Sequence, residues 1–92
     1  MRSIDLPAGN TSPDELDLHG MTIEEAIPLV ETFLAESYCA NKQRVWIVHG
    51  KGAGILRNEV GRRLKIHQLV KSFTLAGNDH GGDGATRVEL DD

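Results

Sequence analysis

Apolar and polar residues alternate over Leu16-Asp17-Leu18-His19, and this period of two predicts a short strand that Gly20 ends. The period then changes. Thr22-Ile23-Glu24-Glu25 has capping-box spacing, in which the Thr22 hydroxyl and the Glu25 carboxylate satisfy each other's backbone N–H groups, so a helix starts there. Ile23, Ala26, Ile27, Val30, Phe33, Leu34 and Tyr38 share one face at helical spacing. Pro28 lies too deep for the first turn and is expected to kink this helix or delay its regular part. Residues 44–49 are β-branched and aromatic, with Val45 and Ile47 on one face and Trp46 and Val48 on the other. That pattern fits a central strand covered on both sides for much of its length. A glycine loop at 50–54 leads into a second helix over 55–66, in which Leu56, Val60 and Leu64 stack. Gly61 inside that helix costs about 1 kcal/mol relative to alanine, which points to close packing at this position. Residues 70–76 form a third strand and 77–84 a glycine-rich loop. A fourth strand over 85–90 turns Thr86, Val88 and Leu90 inward.

The order β-α-β-α-β-β fixes the architecture. Two right-handed crossovers running the same way along a sheet put both helices on one face, and the last two strands pair antiparallel through the long loop. The expected fold is an α/β two-layer sandwich with a four-stranded mixed sheet. At 92 residues the chain holds one domain, read as 15–92, behind a flexible lead at 1–14 that contains Pro7, Gly9, Asn10 and Pro13. There is no internal repeat. With 39% apolar and 26% charged residues, the composition is that of a soluble domain. The longest apolar run is the four residues from Val45 to Val48, whereas roughly 20 are needed to span a bilayer. No signal peptide is visible, and a cytoplasmic monomer is expected. The single Cys39 excludes an internal disulfide and a cysteine-rich zinc site, and it reads as a small buried hydrophobe.

The net charge of −4 conceals a segregation. Residues 1–41 hold one base against eight acids, and residues 72–92 one base against five. Residues 42–71 carry eight bases (Lys42, Arg44, Lys51, Arg57, Arg62, Arg63, Lys65, Lys71) against Glu59 alone, a net of +7. Such a segment on an acidic body suits a polyanion, although a solvated basic helix would have the same composition.

Both strand-to-helix junctions place a histidine before a glycine: His19-Gly20 and His49-Gly50. If the two strands are parallel, both imidazoles lie at the carboxyl edge of the sheet, where open α/β sheets bind ligands. Asp17, two residues before His19, shares its strand face and can orient that ring, leaving the other ring nitrogen for proton transfer. The alternative is a histidine that merely ends a strand beside a solvated aspartate. Gly50, Gly52 and Gly54 expose backbone N–H groups at a helix start, a place suited to an anion. Lys51 and Arg57 strengthen that reading, because cations near a helix N-terminus are disfavoured unless an anion sits there. Neither a Walker nor a dinucleotide motif matches. His67 is read as a cap on helix carbonyls and His80 as a loop residue, while Tyr38 and Trp46 are read as core.

Three blocks of this chain resemble the signatures of the Smr (small MutS-related) domain family. They are Leu16-Asp17-Leu18-His19-Gly20, the run from Val48 to Arg57, and the run from Gly81 to Leu90. The resemblance covers about residues 15–90. It implies a fold like the C-terminal domain of translation initiation factor 3 and a nucleic-acid endonuclease or nicking module, acting on DNA in some members and on mRNA at stalled ribosomes in others. It associates Asp17 and His19 with cleavage and maps the glycine block onto His49, Gly50, Gly52 and Gly54, with Lys51 and Arg57 on the phosphate backbone. His19 sides with the forms expected to cleave RNA, since many domains fused to a MutS-like ATPase carry arginine there. On this reading Lys51, Arg57 and the loop amides hold a phosphate while His19, oriented by Asp17, and His49 exchange protons. Two rivals stand beside it: a non-catalytic module docking on nucleic acid or ribosome, and a metal-assisted nuclease with Mg²⁺ on Asp17.

Overall fold

The computed structural model describes residues 14–50, 54–76 and 84–91. Four strands and two helices follow the expected order: β1 (Glu15–Asp17), α1 (Ile23–Cys39), β2 (Arg44–Val48), α2 (Ile55–Ile66), β3 (Val70–Leu75) and β4 (Ala85–Leu90). The sheet order is β1-β2-β4-β3. β1 and β2 are parallel, and β4 runs antiparallel to both β2 and β3, so the sheet is mixed. Its inner face carries Leu16, Val45, Ile47, Val88 and Leu90. These close on Ala26, Val30, Phe33 and Leu34 of α1 and on Leu56, Val60 and Leu64 of α2 in one core.

Cap chemistry sets the limits of α1. Thr22 Oγ1 accepts from the Glu25 N–H at 3.2 Å, and Glu25 Oε1 accepts from the Thr22 N–H at 3.1 Å. The far end is closed by a feature the sequence pattern did not announce. Asn41 adopts φ 63°, its N–H bonds the Tyr38 carbonyl, and the Lys42 N–H bonds the Ser37 carbonyl. That is the Schellman arrangement, with asparagine in the left-handed position. Pro28 neither delays nor ends the helix, which is continuous from Ile23. It lies on the exposed side, where water can take the bond that the Glu24 carbonyl loses.

Several expectations are corrected. The buried stripe of α1 ends on Ser37, and Tyr38 is partly exposed. Cys39, in the last helical position, is exposed. Trp46 and Val48 are half-buried on the helix-free face of the sheet, so β2 is fully covered on one side only. Gly61 is not there for want of space. A Cβ on it would meet Phe73 Cε2 at 3.8 Å, an ordinary contact. Residues 1–13 of the lead, residues 77–83 of the 77–84 loop with His80 among them, and Lys51 and Gly52 lie outside the described residues.

Candidate active site

The parallel register pairs Asp17 with Val48, so β1 and β2 finish together at one edge of the sheet. Continued by two residues, that register sets His19 beside Gly50, and a Cβ on Gly50 would lie 3.4 Å from the His19 Cβ. Both turns reverse through left-handed glycines, Gly20 at φ 81° and Gly50 at φ 86°. Any other residue there is strained by about 1–2 kcal/mol.

Asp17 and His19 form the pair the sequence pointed to. Asp17 Oδ1 accepts from the His19 backbone N–H at 3.1 Å and lies 2.7 Å from its Nδ1. Because a carboxylate can only accept, Nδ1 carries the proton. Nε2 is then the ring nitrogen left free of that proton. The imidazole is 64% exposed, whereas the Asp17 side chain is 19% exposed, so the acid is held and the ring is accessible. The hydrogen bond and charge of Asp17 raise the His19 pKa above its ordinary value.

The two His-Gly junctions match in backbone and differ in their rings. His49 is turned inward and only 5% exposed. Its Nδ1 lies 3.1 Å from the Gly50 carbonyl and its Nε2 2.8 Å from Thr86 Oγ1 near the start of β4. This geometry does not offer His49 to substrate as a second proton carrier. The Gly84 carbonyl, just before β4, accepts both the His49 and the Gly50 N–H groups, at 2.8 and 2.9 Å, and so fixes the junction. Reasoning from sequence missed the part played by Gly84 and Thr86. The available signal was a hydroxyl on the inward side of an alternating strand, which needs a partner once buried.

At the start of α2, Gly54 has φ 85° and no side chain caps the helix. Arg57 folds back over this turn, and a Cβ on Gly54 would come within 2.8 Å of its Nη2. Among the described residues no carboxylate pairs with Arg57, and the first turn holds no acid. Four other bases of the segment meet carboxylates. Lys42 pairs with Asp14 at 2.8 Å, Arg44 with Glu89 at 2.8 Å, and Arg62 and Arg63 share Glu59 at 3.1 and 3.3 Å. His67 caps no carbonyl with its ring. Its Nε2 reaches Glu31 Oε1 at 2.8 Å and ties α2 to α1, while its Nδ1 accepts from the Leu69 N–H. Among the described residues, the carboxylate at this edge is Asp17, whose Oδ1 already accepts twice. Among the described residues no group of three His, Cys, Asp or Glu side chains could hold a metal ion.

The model of the Smr domain matches residues 16–91. The chain belongs to the Smr domain family. Similar relatives include the proteins named endonuclease MutS2 of Clostridium botulinum, 48% identical over 84% of this chain, and of Pelotomaculum thermopropionicum, 47% identical over 83%. This Smr domain spans about a tenth of the length of those relatives, since it covers 10% of each. Among solved structures, it resembles the Smr domain of Thermus thermophilus MutS2 at TM-score 0.82 and 35% identity, covering 86% of this chain and 99% of that one. The stand-alone small MutS-related protein YdaL of Escherichia coli gives 0.83 and 30%, covering 95% and 72%. No helix among the described residues of this Smr domain is long and apolar enough to cross a membrane.

Proposed function

We propose that this Smr domain is a nucleic-acid endonuclease module in which His19, oriented by Asp17, moves the proton while the start of α2 holds the phosphate backbone. The observation that carries the reading is the Asp17–His19 pair itself: a carboxylate held in place, a bond of 2.7 Å, and an accessible ring at the carboxyl edge of two parallel strands. The N–H groups of the uncapped α2 start and Arg57, with which no carboxylate among the described residues pairs, suit a phosphate, and Lys51, Gly50, Gly52 and Gly54 belong to the same loop. The MutS2 relatives bear the name endonuclease, which agrees with this assignment. With RNA, the neutral Nε2 takes the proton of a 2′-hydroxyl, and that oxygen attacks phosphorus. The P–O5′ bond breaks, and the departing 5′-oxygen receives its proton from the imidazolium or from water. The ends are a 2′,3′-cyclic phosphate and a 5′-hydroxyl.

Cleavage of single-stranded RNA in EDTA tests this, with the 2′-deoxy strand as control. RNA cut with a cyclic or 3′-phosphate end, the deoxy strand intact, and a loss of at least about a hundredfold in His19→Ala is the expected result. Cutting of the deoxy strand only with Mg²⁺ would assign metal-assisted chemistry. Tight binding without cleavage would leave a docking module on nucleic acid or ribosome.

A further inference from the structure

We infer that His49 and Thr86 are a positioning pair, which ties the start of β4 to the Gly50 turn and thereby sets the backbone against which His19 stands. The Gly50 carbonyl can only accept, so Nδ1 of His49 is the donor to it at 3.1 Å. In the neutral ring Nε2 is then the acceptor, and the Thr86 hydroxyl donates to it at 2.8 Å. Both residues are buried, His49 at 5% and Thr86 at 4% exposure, so the pair is shielded from competing water. The residue just before β4 grips the junction a second time through the Gly84 carbonyl. Gly50 must hold a left-handed turn, and its Cα hydrogens face the Cβ of His19, where an added carbon would sit 3.4 Å away. Loss of the Thr86 bond therefore reaches His19 through Gly50, without Thr86 touching substrate.

This inference rests on the endonuclease reading for its kinetic arm alone. In an active protein, Thr86→Val removes the hydroxyl and nearly keeps the shape. It should lower kcat about tenfold or more with KM within about twofold, since small misplacements near the reacting atoms are costly in rate. Thr86→Ser should restore most of the rate. A Thr86→Val enzyme with unchanged kcat, or with a loss in KM only, would overturn the inference. Two further measurements need no activity. Amide exchange of Gly50 should speed up about tenfold in Thr86→Val while that of Val60 in the core stays as it was; unchanged Gly50 exchange overturns the pair. In the wild-type protein, the nitrogen resonances of His49 should show a protonated Nδ1, and a bare Nδ1 overturns it whatever the variants do. If the wild type cleaves nothing, the endonuclease reading fails and these last two measurements still decide the positioning pair.

Discussion

Gly50 packs its Cα against the Cβ of His19, so that the glycine of the second His-Gly junction forms the backing for the histidine of the first. The contact joins two blocks separated by thirty residues of chain, and it exists because β1 and β2 are parallel neighbours in the register Asp17 to Val48. Its consequence is that Gly50 cannot be exchanged cheaply. Gly50→Ala should destabilise the domain by about 1–2 kcal/mol, because φ 86° is a left-handed conformation. A lower urea midpoint at unchanged slope would register this, and an unchanged midpoint would mean that the turn relaxes.

The Asp17–His19 bond makes a signed prediction about pH. Asp17 raises the His19 pKa above the value of the unfolded chain, chiefly through the hydrogen bond and then through charge. A raised histidine contributes stability that is fully present below its unfolded pKa, near 6.5, and is lost as pH rises through the higher folded value. The ring is exposed, so the effect on stability is small. The direct measurement is a proton NMR titration of His19, with a midpoint above 6.5 in the wild type. In Asp17→Asn the midpoint should fall back toward that value. A midpoint unmoved by the substitution would show that Asp17 does not govern the ring.

Gly61 offers a gain in stability. It sits inside α2, its backbone is helical, and a methyl there would touch Phe73 Cε2 at the ordinary distance of 3.8 Å. Gly61→Ala should therefore stabilise by up to about 1 kcal/mol, through helix propensity and a stiffer unfolded chain. Thermal unfolding checks this, and a lowered midpoint would indicate that Phe73 has no room to give.

Much of this was legible from residue pattern because the signals were local. The capping box of Thr22 and Glu25, the alternation through Leu16 and Leu18 and the Leu56-Val60-Leu64 stack each depend on spacing within one element. The Asp17–His19 pair was legible for the same reason, as two side chains on one strand face. The insertion of β4 between β2 and β3 was not, since no spacing records which strand a chain returns beside. His49 shows the same limit. Its neighbourhood in sequence equals that of His19, yet β4 and the residue before it supply Thr86 and Gly84 to it from 37 and 35 residues away, and burial follows from that partner. Cys39 and Tyr38 miscarried because helical spacing alone does not say where the last turn leaves the core.

The basic segment makes the last prediction, about which cations meet the polyanion. Composition gives residues 42–71 a net of +7 with Glu59, which Arg62 and Arg63 share, already counted, and the fold adds Asp14 beside Lys42 and Glu89 beside Arg44. Arg57, folded over Gly54 at the α2 start, receives no carboxylate among the described residues. Surface pairs are individually weak, roughly 0–1 kcal/mol, so they do not bar a phosphate. They do lower the local potential that would attract one. Affinity for single-stranded RNA should fall linearly with log[salt], each phosphate contact adding about 0.7 to the slope. Arg57→Ala should remove about one contact from that slope, and Lys51→Ala another, whatever the base sequence. Arg44→Ala should leave the slope within error, because the Arg44 guanidinium is already 2.8 Å from Glu89. Equal losses in Arg57→Ala and Arg44→Ala would mean that the whole segment acts as a diffuse field and that the α2 start holds no phosphate of its own.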